Sequence, residues 1–253
     1  MTNRPGPLSP DQMEAYDRDG FVVVQSGFSE DELNALSLAA DELAERMGPL
    51  TPDNPRARSE VEKVGGRIIL RKVEPIIDVV PALETLVYDP RMTGPPAQIF
   101  GEDVFLFEDK LNYKPPLVGE KYDLHQDYAY WQDFTDRLIT VTLLLDDATP
   151  ENGCLRFIPG SHKNGLIARE NDHPRLITEQ IDDPSIAVDA PGQAGDLVVF
   201  SCYTAHHSFA NRTDKGRRAV LYTYNPLSNG DTYATYKGAQ AEQCRAWEAA
   251  QDS

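Results

Sequence analysis

The first 25 residues combine a helical pattern with a short apolar run. Ser9 can cap a helix that begins at Pro10 and continues to about Arg18. Gly20 favours the end of that helix, and the run FVVV at residues 21–24 predicts a short buried strand. The pattern therefore predicts a helix followed directly by a strand.

A longer helix and then a polar segment follow. Ser29 and Glu32 form a capping box ahead of ELNALSLAADELAERM, whose apolar positions recur at helical spacing, so this helix is expected to lie against a sheet. Residues 50–64 (LTPDNPRARSEVEKV) are polar, contain proline and have no period. They predict a mobile loop, of the kind that often covers a site.

From Gly66 onward the pattern changes to short β-rich runs separated by turn residues, interrupted by a helical stretch at about 81–100. The runs are GRIILRKV, DVFLFEDKLNY, LITVTLLLDD, GCLRFIPG, GDLVVFS and RRAVLYTYN. Such an order favours a mainly β fold with flanking helices, a sandwich or jelly roll. With no repeat or long linker, residues 1–253 are predicted to form one domain, in which helices at about 9–48 support a core at about 66–226. The C-terminal AQAEQCRAWEAAQ predicts a short amphipathic helix.

Composition narrows the possible partners. The chain has 24 Lys and Arg against 41 Asp and Glu, a net charge of −17, and no basic cluster, which argues against a nucleic-acid partner. No stretch reaches the roughly 20 apolar residues of a membrane span, and the N-terminal residues do not resemble a signal peptide. We therefore expect a cytoplasmic protein without a membrane partner. Its three cysteines fit no disulfide or zinc spacing and are expected to be free, buried thiols.

The five histidines include two groups that suit metal binding. In YDLHQDYAYW, His125 and Asp127 stand two apart, so on an extended segment both side chains point the same way. A third ligand from a distant strand, His206 or His207, would complete a facial triad of two histidines and one carboxylate. That set suits non-haem Fe(II) with three open positions; zinc is the competing metal.

An oxygenase with such a centre also needs to hold a cosubstrate. If this is 2-oxoglutarate, its remote carboxylate calls for an arginine. Arg217 follows His206 by 11 residues and is expected on the neighbouring strand of the same sheet, where Ser208 adds a hydroxyl group. Adjacent strand residues face opposite ways, so of Arg217 and Arg218 only one can enter the site, and Arg217 is favoured.

Several ordered motifs together resemble the phytanoyl-CoA dioxygenase family of Fe(II)/2-oxoglutarate oxygenases, with the ectoine-hydroxylase-like branch nearest. They are KLNYKPP at 110–116, HQD at 125–127, ENGCLRFIPGSHK at 151–163, and His206-x-Ser208-x-x-Asn211 followed by Arg217. The resemblance implies a double-stranded β-helix (a cupin-like jelly roll). It also implies a reaction in which Fe(II), 2-oxoglutarate and O2 hydroxylate an unactivated C–H bond of a small molecule, with succinate and CO2 as products.

The resemblance assigns roles to individual positions. It implies His125, Asp127 and His206 as the catalytic iron ligands. The residues implied at the cosubstrate are Arg217 and Ser208 on the C5 carboxylate, with Asn112 and Lys110. Lys110 also matches a position near the substrate, and Trp131 matches a tryptophan that faces the substrate. The chain departs from the ectoine enzymes at HQDYAYW and in its shorter length, so ectoine is disfavoured as the substrate.

Further substrate contacts follow from residue chemistry. Lys110 with Arg71 or Lys72 would receive an acidic group, whereas Tyr128, Tyr130 and Trp131 would suit a cationic or aromatic one. The substrate is expected to be a free amino-acid derivative or natural-product intermediate, because the acidic chain lacks a cationic cluster for CoA phosphates. The resemblance also implies hydroxylation rather than halogenation, because related halogenases replace the carboxylate that Asp127 retains; desaturation, epoxidation and ring closure stay open.

Two other classes stay open, a non-catalytic jelly-roll binding protein and a zinc hydrolase with the same ligands. Outside the predicted site, His162 in IPGSHK is expected to be structural and His173 exposed. Gly153, Pro159 and Gly160 are expected to shape turns.

Overall fold

The computed structural model describes residues 8–51, 53–61, 65–117, 119, 121–167 and 186–251, so His173 lies outside the described residues. The α-helices are α1 (Pro10–Asp19), α2 (Glu30–Arg46), α3 (Pro81–Val87), α4 (Pro90–Phe100) and α5 (Tyr233–Gln251). The strands are β1 (Phe21–Gln25), β2 (Ala57–Val61), β3 (Ile68–Val73), β4 (Val104–Lys114), β5 (Tyr122–His125), β6 (Ile139–Leu144), β7 (Leu155–Phe157), β8 (Val188–Ala190), β9 (Asp196–Ser201), β10 (His206–Ser208) and β11 (Arg217–Pro226). Short 3₁₀ turns cover Asp127–Tyr130, Ser161–Asn164 and Leu227–Asn229.

The strands form two antiparallel sheets. The larger sheet has the order β1-β9-β6-β11-β4-β3-β2 and the smaller one the order β5-β10-β7-β8. An apolar cluster joins their facing sides, with Phe157 and Ala190 from the smaller sheet against Phe200, Ala219 and Leu221 from the larger. This arrangement confirms the predicted jelly roll.

The other face of the larger sheet packs on the helices. Because side chains alternate along a strand, Val141 and Val220 point to this second core and meet α2, α3 and α4. The hydroxyl of Tyr113 on β4 donates to the carbonyl of Ala40 on α2 at 2.8 Å. The predicted packing of the second helix against a sheet is confirmed.

Capping signals located the N-terminal helices well. Both capping boxes are present, with Ser9 and Gln12 on α1 and Ser29 and Glu32 on α2. The predicted helical stretch at 81–100 instead forms two helices. It breaks before Pro90, whose ring disfavours helical backbone at the preceding residue, and Asp89 there caps α4.

The prediction of a mobile loop at residues 50–64 was wrong for residues 57–61, whereas residues 52 and 62–64 lie outside the described residues. Residues Ala57–Val61 form β2, an edge strand that pairs with β3. The Asn54 side chain accepts hydrogen bonds from the amides of Arg56 and Ala57 at 2.9 and 3.0 Å, and Arg56 pairs with Asp78 at 2.7 Å. These contacts stabilise a polar segment as a strand without an apolar period.

Two smaller expectations have clear outcomes. Cys154, Cys202 and Cys244 are free and buried, as predicted. No helix within the described ranges combines the length and apolar character that a membrane crossing requires.

Candidate metal centre and active site

The His-x-Asp motif lies where β5 ends. Gln126 is extended, so His125 and Asp127 fall on the same side of the chain, with His125 Nε2 at 3.5 Å from Asp127 Oδ1. The Gln126 side chain points the other way and donates to the carbonyls of Gly165 and Tyr203 at 2.9 and 2.6 Å. It also accepts from the amide of Ile167 at 2.8 Å. Gln126 therefore fixes the segment that presents both candidate ligands.

The third candidate ligand comes from β10. His206 is the direct cross-strand partner of His125, and their ring centroids are 4.3 Å apart. One potential ligand atom from each of His125, Asp127 and His206 lies within 4.8 Å of the others. The His206 ring packs on Phe200 and Phe157, which holds it in this direction.

His207 does not join this group. Its side chain leaves β10 on the opposite side, and its ring meets that of Phe209 edge-on at 5.2 Å. Of the two histidines left open by the spacing, the structure therefore places His206 beside His125 and Asp127.

Hydrogen bonds set the imidazoles for metal binding. Nδ1 of His125 lies 2.7 Å from the carbonyl of Asp123, and Nδ1 of His206 lies 2.9 Å from the carbonyl of Thr204. A carbonyl oxygen only accepts, so each Nδ1 carries the proton and each Nε2 keeps a free lone pair. Burial and the neighbouring His125 together lower the pKa of His206 from 6.5 to about 4, against the opposing effect of Asp127, which keeps the ring neutral near pH 7.

Asp127 keeps its charge although it is buried. Burial alone raises the pKa of its carboxyl, but the charge of Lys110 and the contacts with His206 and His125 hold it well below its usual range. One anionic and two neutral donors of this kind fit a divalent iron ion with open positions for further ligands.

The three candidate ligands lie at a cavity of about 460 Å³, a volume that suits small molecules. The cavity is also lined by most of the other residues predicted at the site: Arg217, Ser208, Asn112, Lys110, Arg71 and Trp131.

Arg217 approaches the cavity from the larger sheet, at the start of β11. The expectation that it lies on the neighbouring strand of the same sheet as His206 was wrong, because residues 209–216 carry the chain across from the smaller sheet. The guanidinium is buried, its Nε has no partner among the described residues, and burial lowers its pKa. Arg218 faces outward and pairs with Asp146 and Asp41, each at 2.8 Å. A buried arginine that lacks a carboxylate fits the remote carboxylate of 2-oxoglutarate.

Asn112 and Ser208 also face this part of the cavity. Ser208 follows the metal-centre histidine by two residues on β10 and is buried. Asn112 is the cross-strand partner of Ala219 on β11, and its buried Oδ1 has no hydrogen-bond partner in the described chain. A buried amide oxygen left unpaired indicates a missing ligand or water at this position.

The predicted cationic contacts are already ion-paired. Lys110 Nζ lies 2.6 Å from Glu108 and 5.7 Å from the centre of the Trp131 ring. Arg71 pairs with Glu60 at 2.6 Å and lies over the Tyr122 ring. Both line the cavity, but each has a carboxylate partner before any substrate binds.

The aromatic residues divide differently from the prediction. Trp131 lines the cavity, and its Nε1 donates to the hydroxyl of Tyr236 at 2.9 Å. Tyr130 also lines the cavity. Tyr128, predicted as a substrate residue, instead packs on Tyr203 with ring centroids 4.7 Å apart and is not part of the lining. The turn at Asp127–Tyr130 breaks the strand alternation, which rotates Tyr128 away and brings Tyr130 in.

Sequence reasoning missed several cavity residues. Tyr236 comes from α5, and Arg58, Glu60, Glu74 and Glu108 come from β2, the end of β3 and β4. In IILRKVE, three charged residues near the end of an apolar run (Arg71, Lys72 and Glu74) were the signal that this strand reaches a polar site.

The sequence matches a known family model over most of its length. The model described as phytanoyl-CoA dioxygenase (PhyH) matches residues 16–219, which include all three candidate ligands and Arg217. The chain belongs to the phytanoyl-CoA dioxygenase family. Helix α5 lies beyond the matched residues.

Curated relatives carry names of two oxidative reactions. The ectoine dioxygenase of Sphingopyxis alaskensis is 30% identical over 243 residues, which cover 88% of this chain and 78% of the relative. The methylphosphonate hydroxylase of Gimesia maris is 29% identical over 229 residues, which cover 90% and 85%.

Solved structures agree in fold. EctD from S. alaskensis with 2-oxoglutarate and 5-hydroxyectoine superposes with a TM-score of 0.73 at 27% identity and covers 90% of this chain and 79% of its own. The same enzyme with bound Fe gives a TM-score of 0.71 at 27% identity, with 90% and 80% covered. The jelly roll is therefore shared with an enzyme whose structures contain iron and 2-oxoglutarate.

Proposed function

We propose that this protein is an Fe(II)- and 2-oxoglutarate-dependent oxygenase that hydroxylates an unactivated C–H bond of a small molecule. The observation that carries the proposal is the convergence of His125, Asp127 and His206 at a cavity that also contains the buried Arg217. The relatives named for ectoine and methylphosphonate support a small, free substrate.

Each residue has a defined task in this proposal. His125, Asp127 and His206 hold Fe(II) through Nε2, a carboxylate oxygen and Nε2. Arg217, with Ser208 and Asn112, holds 2-oxoglutarate. When bound, the iron, 2-oxoglutarate and O2 supply the oxidising chemistry and yield succinate and CO2. The protein contributes orientation and a cavity from which water is largely excluded.

Asp127 also bears on the outcome of the reaction. Its carboxylate occupies the metal position that a halide would need, so we propose hydroxylation rather than halogenation. Trp131 and Tyr130 border the cavity near the candidate metal ligands and are positioned to contact the substrate.

Two broader proposals accompany the reaction. Residues 1–253 work as one domain, because β1 and β2 from the N-terminal part are strands of the same larger sheet as β11. We also propose that the protein acts in the cytoplasm, which the three free cysteines and the acidic surface support.

An anaerobic titration tests the centre directly. Fe(II) and 2-oxoglutarate are added to metal-free protein, and the visible charge-transfer absorption band of the chelate is recorded. We expect a band in the parent and in the matched control His207→Ala, and none in His206→Ala.

The outcomes separate the competing classes. An absent band in the parent despite bound iron would contradict the oxygenase proposal and favour a binding protein of the same fold. Hydrolysis that proceeds with zinc and without 2-oxoglutarate would instead favour a zinc hydrolase.

A further inference from the structure

Five charged side chains form a buried group at the cavity, which we call the lysine–glutamate cluster: Lys72, Glu74, Glu108, Lys110 and Lys237. Glu74 forms ion pairs with both Lys72 and Lys237. Glu108 pairs with Lys110 at 2.6 Å and lies 3.6 Å from Lys237. The most exposed of the five side chains, that of Lys72, is only 18% exposed.

The cluster holds three cations and two carboxylates. Two nearby aspartates do not correct this balance. Within the described residues Asp109 forms no ion pair with the cluster, and burial raises the pKa of its carboxyl, which disfavours the charged form. Asp127 is assigned to the metal. The ion pairs of the cluster thus contain one cation more than carboxylates, and an uncompensated buried cation favours the binding of an anion.

Arg58 adds to the positive charge on the same side of the cavity. It is exposed on the edge strand β2, directly across from Lys72 in the pairing with β3. Both residues line the cavity. In the described part of the chain Arg58 makes no ion pair, whereas Lys121 at the same cavity pairs with Asp123.

The electrostatics of Lys72 point the same way. Burial lowers its pKa, and the charges of Lys110 and Arg58 lower it further, against the opposing effects of Glu74 and Glu108. An anion between Lys72 and Arg58 would reverse this effect. That such a positive region persists at the cavity of a chain with net charge −17 indicates a binding role.

We propose that Lys72 and Arg58, supported by the lysine–glutamate cluster, bind an anionic group of the substrate, which is therefore a small organic acid. The chemistry is shared by carboxylates and phosphonates. Lys72 and Arg58 lie on β3 and β2, whereas Arg217, which is assigned to the cosubstrate, lies on β11. The inference therefore rests on the proposed function but concerns different cationic residues of the cavity.

Calorimetric titration of the anaerobic Fe(II)·2-oxoglutarate complex tests this assignment. The probes are propionate, methylphosphonate and the uncharged propionamide, each added at saturating 2-oxoglutarate so that Arg217 is occupied. We expect at least one anion to bind and propionamide not to bind. Arg58→Gln should lower the affinity for the anion at least about tenfold, which is the scale of a lost charge-assisted hydrogen bond. The relative affinity of the two anions distinguishes a carboxylate from a phosphonate substrate.

Controls make each result decisive. Arg18→Gln removes an exposed arginine on α1 and should leave binding unchanged. Lys72→Met should weaken anion binding as Arg58→Gln does, and the exposed position of Arg58 keeps the test valid if the buried Lys72 variant misfolds. Equal anion affinity in the parent and Arg58→Gln, or failure of both anions to bind, would overturn the proposal. A parent without the charge-transfer band would instead show that the proposed function itself fails.

Discussion

Lys114 and Arg217 are direct cross-strand partners in the pairing of β4 with β11, and within the described residues Nε of Arg217 has no hydrogen-bond partner. Lys114 is buried and its Nζ donates to the carbonyl of Phe209, in the segment that joins β10 to β11. Arg217 lines the cavity, and its buried guanidinium complements an anionic cosubstrate.

Arg217→Lys should weaken 2-oxoglutarate binding at least about tenfold, because an ammonium group cannot replace the two parallel hydrogen bonds of a guanidinium. The charge-transfer band, titrated with 2-oxoglutarate, measures the affinity. Arg218→Lys is the matched control, since that neighbour pairs with Asp146 on the outer face. Equal loss in both variants would point to a general defect of the strand.

Lys114 should make stability depend on pH. Burial and the neighbouring charges of Arg217 and Arg71 lower the pKa of Lys114 from 10.5 to about 6. Between these values the unfolded chain binds one proton more than the folded chain, so the free energy of unfolding rises with pH across this window. We expect this contribution, at most about 1.4 kcal/mol per pH unit, to be absent in Lys114→Met.

Urea unfolding at pH 6.5 and 8.5 measures this effect, in protein free of metal and cosubstrate so that no bound anion shifts the titration. For each protein, the free energy of unfolding at pH 6.5 is subtracted from that at pH 8.5. The result for Lys114→Met is then subtracted from the result for the parent. A difference of zero would show that Lys114 stays protonated in the fold.

Gly153→Ala should be strongly destabilising. An added Cβ would lie well inside van der Waals contact of the Phe209 carbonyl oxygen and 2.9 Å from Nζ of Lys114, at a φ of +78°. Gly101→Ala is a matched control because φ there is +75° but nothing lies within 4 Å. We expect Gly101→Ala to lower the free energy of unfolding by about 1 kcal/mol through backbone conformation alone. Gly153→Ala should lower it clearly more, and urea unfolding measures both. Equal losses would mean that the Phe209 segment moves aside.

Glu74→Gln should lower the free energy of unfolding by about 3–5 kcal/mol, since it leaves Lys72 and Lys237 buried without their shared partner. Glu42→Gln removes an exposed partner of Arg46 on α2 and should cost at most about 1 kcal/mol. Chemical denaturation of both variants provides the comparison. A small effect at Glu74 would indicate that water or a bound ion shares the cluster.

Local signals predicted the parts of the fold that local chemistry determines. The capping boxes at Ser9 and Ser29 involve residues three apart, and the convergence of His125 and Asp127 needs only one extended residue between them. These local arrangements form without contacts to distant parts of the chain, so the sequence pattern was enough to predict them.

Features that depend on contacts between distant parts of the chain could not be predicted from local sequence patterns. Strand β2 is held by pairing with β3 and by Asn54, although its residues show no apolar alternation. The sheet that carries Arg217 depends on where residues 209–216 cross the sandwich, which spacing alone does not define. Tyr236 reaches the cavity from α5 because Lys237 beside it is anchored to Glu74, a contact across 163 residues.

Helix α5 contributes to the lining of the cavity but not to the candidate metal centre. It supplies Tyr236 to the lining, yet it carries none of the candidate metal ligands and lies outside the matched residues 16–219. Replacement of residues 233–251 by another helix that keeps Lys237 would therefore change the lining of the cavity at Tyr236 in one step. Substrate range could thus be altered through α5 while His125, Asp127 and His206 keep their sequence.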